Sequence, residues 1–587
     1  MAELASSELD LDLEAVREKY RTERDKRLRA EGSAQYRAVT GDLAHFVEDP
    51  YTARVEREPV ADEVEVAIIG GGFGGLLLGA RMRQAGITDV RIIEQGGDFG
   101  GTWYWNRYPG AACDTESYIY LPLLEEVGYM PTEKYVKGPE ILEHCRRIAR
   151  HFDLYRNALL QTRVTEVRWS DETLAWTIST DRGDRVRAKY VCMTTGAMSR
   201  PKLPGVSGIE RFTGHAFHTT RWDYEYTGGD SRGNLTGLRD KRVGIIGTGA
   251  TGVQAIPHLG ESAKHLYVFQ RTPSSINVRA NRPTDPEWVK TLRPGWQRDR
   301  MENFSTYVAG GEAETDLVND GWTAIYRLRS LGSGVLDERL DFLKMEEVRA
   351  RVDRVVHDKT VAEALKPYYR ALCKRPCFHD EYLETFNRPN VSLVDTEGHG
   401  VSEITERGVI ADGKEYELDC IIFASGFQVG GPLVNRVGYD VYGRGGLALS
   451  EKWKTGISTF FGMQTRGFPN FFIVALAQVG ISSNQTHVLD AQSRHISYVI
   501  GEARTRGAGT VDVIEEAENN WVRTVIDASR ANIEFLQSCT PGYYNNEGNP
   551  NLLLFRRNGS YSPGIVAFDH LLCAWQDEGL LTGLECK

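Results

Sequence analysis

The chain has 587 residues, enough for roughly three or four domains by the usual length prior. Its 41% hydrophobic and 26% charged residues are those of an ordinary globular protein, and 70 Lys+Arg against 81 Asp+Glu leave a net charge of −11. That balance argues against a nucleic-acid or anionic-membrane surface, so any cationic site has to be local.

No apolar signal core stands at the N-terminus, and apolar runs such as Phe471–Ala477 are too short to span a membrane. Nine scattered cysteines lack a paired zinc spacing; Cys373 and Cys377 are neighbours, but no second pair completes a site. No metal is expected. Reduced thiols in a soluble, cytoplasmic protein are the expectation.

Residues 1–60 are charged and helical in pattern, with Leu13, Val16 and Tyr20 at three- and four-residue steps. They read as an N-terminal helical arm packed on the body, with little functional signal.

From Val64 the pattern changes to α/β. Residues 64–69 form a buried strand, then Gly70, Gly72 and Gly75 open a helix reaching about Ala85, and the strand Val90–Ile93 ends in Glu94. Gly70 allows the tight turn, Gly72 lets backbone approach a pyrophosphate, and Gly75 lets helix and strand pack closely. The diphosphate meets the free amides and positive dipole at the helix N-terminus, and Glu94 is placed for ribose hydroxyls. An aromatic-rich run follows, Gly100 to Asp114, containing Thr102, Trp103, Tyr104, Trp105 and the Tyr108-Pro-Gly turn. A strand lies around Val164.

Residues 191–211 read as a crossover stiffened by Pro201 and Pro204. The stretch from Phe212 to Asp223 fixes five positions in twelve, Phe212, Gly214, His218, Trp222 and Asp223. It lies between two nucleotide-binding signatures, where a linker can sense both cofactors; His218 suits coupling better than acid–base chemistry.

The second signature follows the strand 242–246: Gly247-Thr248-Gly249-Ala250-Thr251-Gly252-Val253-Gln254. Its second strand ends in Gln270-Arg271-Thr272, with no acid for the ribose. An acid would repel a 2′-phosphate, whereas Arg271 grips it and Thr272 adds a hydroxyl, so NADPH is expected over NADH. Residues 280–370 become helical, an insertion. Then come Lys374-Arg375-Pro376, a strand at Val391–Val394, and Asp419–Phe427, read as a return to the first domain. The loop 482–486 contains Gln485, and the loop Ser538–Tyr544 contains no tryptophan.

The 212–223 pattern resembles the fingerprint of the flavin-dependent Baeyer–Villiger monooxygenases, and the 100–114 run is similar to that family's second fingerprint. The resemblance extends from about Glu63 to the C-terminal region. It implies two Rossmann-like domains, FAD on the first and NADPH on the second, with a helical insertion walling the substrate cavity. The implied boundaries are 1–60 (arm), 61–190 and 421–587 (FAD), 191–278 and 371–420 (NADP), and 279–370 (insertion).

By the same resemblance, Thr102–Trp105, Tyr120, Val164 and Gln485 line the FAD, and Asp114 lies near its ring. Residues 248–254 cradle NADP, and Lys374 joins Arg271 at the 2′-phosphate. Arg375 faces Asp114 in the active site. The implied reaction uses NADPH and O₂ to form a flavin C4a-peroxide, which attacks a ketone and leaves an ester or lactone. Cyclic, aromatic or bulky ketones are the expected substrates. The alternatives are a flavin monooxygenase acting on sulfur or nitrogen, which has no need of Arg375, and a non-catalytic two-nucleotide redox sensor.

Overall fold

The computed structural model describes residues 12–196, 198–329, 336–429, 433–474, 476–529 and 533–587. Parts of three expected features therefore lie outside the described residues: the start of the arm, a piece of the insertion, and position 475 in the strand expected over Pro469–Ala477.

Two sheets organise the molecule. The first runs in the order Asp440–Tyr442, Val164–Ser170, Ala175–Thr180, Arg185–Met193, Ala61–Ile69, Val90–Ile93, and Phe471–Ile473 also pairs with Arg185–Met193. Its centre is parallel: Ile69 is level with both Ile93 and Met193. The second sheet has five parallel strands, Val391–Asp395, His265–Gln270, Arg242–Ile246, Cys420–Phe423 and His215–His218. The second sheet packs one face on helices such as Ala250–Ser262 and the other on the segment Gly41–Val47 and the strands Glu403–Ile404 and Gly408–Ala411, so its strands are near-continuous apolar runs, the pattern of a parallel sheet buried on both sides. This is the α/β, doubly dinucleotide-binding fold expected.

Each sheet feeds a glycine-rich turn into a helix, Phe73–Gln84 in the first and Ala250–Ser262 in the second. The first helix packs through its buried Leu76 and Ala80 into a core shared with Gln485–Thr505. The helices Trp296–Val308, Gly321–Tyr326, Glu338–Val355 and Lys359–Ala364 build the insertion.

Three expectations change. Cys420–Phe423 does not return to the first sheet; it lies inside the second, with Phe423 level with Ile246 on one side and His218 on the other. An apolar run buried on both faces reads the same in either sheet, so its neighbours are set by tertiary pairing. Cys373 and Cys539 are not free thiols but a disulfide between residues 166 apart, with Cα atoms 5.1 Å apart. The other seven cysteines are free. Local spacing carries no signal for a pair that only the fold brings together.

The arm, finally, is more than packing. Tyr20 on the helix Leu13–Asp25 is buried against Phe342 and accepts from Arg349 Nη1 at 2.8 Å. Farther along, Tyr36–Ala38 pairs antiparallel with Lys202–Pro204, which carries the arm to the cavity wall.

Candidate active site

One continuous cavity of about 2020 Å³ runs between the two sheets and reaches both glycine-rich turns. On the flavin side, Gly70 has φ +113°, and a Cβ there would lie 2.8 Å from the Thr194 carbonyl oxygen. A Cβ on Gly75 would stand 1.9 Å from Gly70 O, so only glycine lets this helix start so close to the strand. These contacts leave the open backbone surface that a diphosphate requires, and FAD fits the turn.

Glu94 is buried at the strand end, its carboxylate accepting from Gly71 N and Gly96 N, both at 2.6 Å. Burial pushes its carboxyl up, and the two amides oppose that. It borders the cavity, as do Gly72, Thr102, Trp103, Trp105, Tyr120, Val164 and Gln485. Tyr104 does not: it is fully buried and its hydroxyl donates to Asp49 on the arm segment.

The 212–223 stretch forms a compact knot beside the cavity. A Cβ on Gly214 would meet the Phe212 ring at 2.5 Å and Asp419 O at 2.8 Å. Trp222 is fully buried; its backbone N–H donates to Tyr51 Oη at 3.0 Å and its indole N–H to Thr227 Oγ1 at 3.1 Å. Asp223 caps the short helix Tyr224–Thr227 and meets His215 Nε2 at 2.9 Å. Between them, the Arg221 guanidinium lies 3.6 Å from the Trp105 ring centroid, tying the knot to the flavin-side loop. His218 is fully enclosed; burial first, then Arg221, pulls its pKa down to about 3, so it is neutral at ordinary pH.

In the second turn Gly247 has φ +114°, and a Cβ on Gly252 would come within 2.3 Å of Gly247 O. Thr248, Gly249, Ala250, Thr251 and Gln254 face the cavity, whereas Gly252 lies behind the turn and Val253 is buried in the second core. Gln254 also bridges the halves: its amide donates to Ala112 O at 3.0 Å, and it accepts from Tyr108 Oη at 2.7 Å.

At the strand end, Arg271, Thr272 and Lys374 converge on the same wall. The buried Thr272 hydroxyl makes no hydrogen bond, as a group waiting for a ligand acceptor would be left. Burial and then Arg271 pull the Lys374 amine down to about 8. This basic, under-satisfied corner suits a 2′-phosphate. Sequence reasoning missed four of its members. Gln35 accepts from Arg271 Nη1, Tyr36 Oη accepts from Arg271 Nη2 at 3.2 Å, Lys202 Nζ sits 3.5 Å from the Tyr36 ring centroid, and the Glu547 carboxylate lies among them. None belongs to a local motif; only the strand pairing of the arm and the fold of the C-terminal loop bring them here.

Arg375 and Asp114 meet as a two-point pair, Nε to Oδ2 at 2.9 Å and Nη2 to Oδ1 at 2.7 Å. Burial lowers the guanidinium pKa, but the Asp114 charge and hydrogen bonds outweigh it and hold Arg375 well above its ordinary value. Trp322 of the insertion braces both partners: its indole N–H donates to Asp114 O at 3.0 Å, and its ring lies 5.0 Å from the Arg375 guanidinium. The site is thus a fixed cation at the meeting point of the flavin turn, the NADP turn and the insertion.

Comparison with known proteins gives the family. Residues 67–307 match the family described as pyridine nucleotide-disulphide oxidoreductase. The chain is 52% identical to the neopentalenolactone D synthase of Streptomyces avermitilis, over 98% of this chain and 100% of that one. It is 50% identical to a Baeyer–Villiger monooxygenase of Stachybotrys chlorohalonatus, over 99% of this chain and 95% of that one. Its structure is similar to that of a polycyclic ketone monooxygenase from Thermothelomyces thermophila, with a TM-score of 0.93, 38% identity, and coverage of 98% and 99% of the two chains. A chain with two glycine-rich turns, the 212–223 knot and a braced Arg375–Asp114 pair, half identical to such enzymes along its whole length, belongs to the Baeyer–Villiger monooxygenases, the flavoproteins that use FAD and NADPH to oxygenate ketones.

Proposed function

We propose that this enzyme converts a cyclic or polycyclic ketone into a lactone or ester inside the cavity between its two sheets, with Arg375 as the catalytic cation and Asp114 as its anchor. The observation that carries this reading is the two-point Arg375–Asp114 pair, braced by Trp322 and facing the cavity. The names of its relatives, which include a polycyclic ketone monooxygenase, support the substrate class.

Bound FAD, reduced by NADPH, supplies the chemistry that activates O₂. Gly70, Gly72 and the helix N-terminus at Phe73 would hold its diphosphate, with Trp103, Trp105, Tyr120 and Gln485 bounding its site. Gly249, Ala250 and Thr251 would hold the NADP diphosphate, and Arg271, Thr272 and Lys374 its 2′-phosphate.

Turning a ketone into an ester places transient negative charge on oxygen, and a fixed donor already aimed at that charge lowers the barrier. Arginine suits the role because it stays protonated and offers a planar set of donors. Asp114 occupies Nε and Nη2, which leaves Nη1 free of that pair and fixes the plane in which it points. Apolar side chains such as Val308, Leu372 and Ile481, with the Tyr326, Tyr543 and Tyr544 rings, bound the cavity around the charge. Among the described residues no helix is long and apolar enough to cross a membrane.

Turnover of FAD-loaded protein with NADPH, ¹⁸O₂ and a panel of cyclic, polycyclic and aryl ketones tests the proposal. An ester or lactone carrying one heavy oxygen is expected. Oxygenation of sulfides or amines with none of the ketones would overturn the substrate class.

A further inference from the structure

The basic corner at Arg271 already contains an anion of the chain's own. Glu547 is 5% exposed; its Oε2 lies 3.6 Å from Arg271 Nη2 and its Oε1 3.8 Å from Lys202 Nζ. Neither distance is a hydrogen bond, and Oε2 has no hydrogen-bond partner. A buried carboxylate serving as a structural counter-ion is ordinarily satisfied by donors, because an orphaned charged oxygen loses its hydration without recompense. This one is left short.

The backbone that delivers it is strained as well. Asn546 and Glu547 have φ of +52° and +56°, followed by Gly548 at +88°. Two successive non-glycine residues in the left-handed region persist only when their surroundings impose them. The preceding part of the loop is firmly tied: the Asn545 amide donates to Leu536 O at 3.1 Å and Cys539 O at 3.2 Å, and Cys539 is bonded to Cys373, next to Lys374. Glu547 follows this fixed point and is itself held by its N–H to Gly542 O at 2.8 Å, so its carboxylate leaves the corner as that bond opens, while the Asn545 anchor to Leu536 and Cys539 stays in place. The corner itself holds more positive charge than Glu547 neutralises. Arg271, Lys202 and Lys374 face one carboxylate, and burial, opposed by Glu547 and reinforced by Arg271, pulls both lysines down to about 8.

We propose that Glu547 is an internal anion that competes with the coenzyme's 2′-phosphate for the Arg271–Lys202–Lys374 corner, and thereby sets how strongly the enzyme prefers NADPH to NADH. The inference rests on the assignment of that corner to the 2′-phosphate. A phosphate brings nearly two negative charges and three acceptor oxygens, so it satisfies the cations and the orphaned Thr272 hydroxyl better than one carboxylate. It does so less well with Glu547 in place, because like charges at such range repel. NADH carries no group into the corner and leaves Glu547 where it is.

Titration of FAD-loaded Glu547→Gln with NADP⁺ and NAD⁺ tests this. The substitution keeps the shape and removes the charge. NADP⁺ affinity is expected to rise roughly fivefold, the scale of one charge contact in a polar setting, while NAD⁺ affinity stays as it was. Unchanged or weaker NADP⁺ binding would overturn the proposal and make Glu547 an organiser of the cations. Arg271→Ala separates the two levels of the argument. If it leaves the NADP⁺/NAD⁺ ratio intact, the corner is not the 2′-phosphate site; if it collapses the ratio while Glu547→Gln leaves it unchanged, only the role of Glu547 fails. Should the variant not load FAD, amide exchange in unaltered holoenzyme gives the same answer. Exchange in the 546–551 segment should rise with NADP⁺ and not with NAD⁺, and a fall or no change with NADP⁺ contradicts displacement.

Discussion

Arg271 and Lys374 are both cations on one wall, yet they are expected to respond differently to the medium. Arginine stays charged throughout the working range, whereas the Lys374 amine, pulled down to about 8 by burial and then by Arg271, loses its proton near there in the free enzyme. Below that pH the lysine is charged and attracts the 2′-phosphate. Above it, NADPH has to bind together with a proton, so its KM is expected to climb as pH rises beyond about 8, with little change for NADH. Steady-state KM for both coenzymes between neutral and alkaline pH checks this, and parallel curves would remove Lys374 from the phosphate site. Arg271→Ala is the companion test. Losing one charged phosphate contact costs about 2–3 kcal/mol, so KM for NADPH should rise roughly 30- to 150-fold and that for NADH hardly at all. Arg271 was readable because strand-end position and residue type together define its task. Lys202, Gln35, Tyr36 and Glu547 were not, since each reaches the corner through contacts between segments far apart in the chain.

At the scale of elements, the two glycine-rich turns are proposed to do the same work for different cofactors and should fail separately. Alanine at Gly75 forces its Cβ against Gly70 O, and alanine at Gly252 forces its Cβ against Gly247 O. Each substitution pushes a helix off its strand, at an overpacking cost of roughly 1–3 kcal/mol. Gly75→Ala is expected to purify with little FAD, as its flavin absorbance will report. Gly252→Ala should keep FAD and lose NADPH affinity; loss of flavin from both variants would mean that the turns are not independent. These turns were legible because close backbone approach dictates the residue type locally. The strand Cys420–Phe423 was not, because an apolar run gives no information about which sheet receives it. The 212–223 stretch stands between these cases. Its spacing marked it as constrained, but its physical content appears only with the Tyr51 and Trp105 contacts that tie it to the arm and the flavin-side loop.

On the scale of the whole molecule, the site belongs to no single domain. Asp114 comes from the flavin side, Arg375 from the segment after the insertion, and Trp322 from the insertion itself. The Cys373–Cys539 bond ties the Lys374–Arg375 segment to the C-terminal loop that carries Tyr543, Tyr544 and Glu547. The arm closes the Arg271 corner from the far end of the chain, so a region that looked peripheral in sequence forms part of the cavity wall.

If Arg375 supplies the charge that makes ketone oxygenation possible, Arg375→Ala should separate flavin chemistry from ester formation. Its flavin content, NADPH oxidation, peroxide release and ester yield should be measured beside the parent enzyme on the same ketone. FAD is expected to stay bound and NADPH to be consumed still, while ester formation falls by roughly 10²- to 10³-fold and peroxide appears in its place. Ester formation near the parent rate would contradict that role for Arg375.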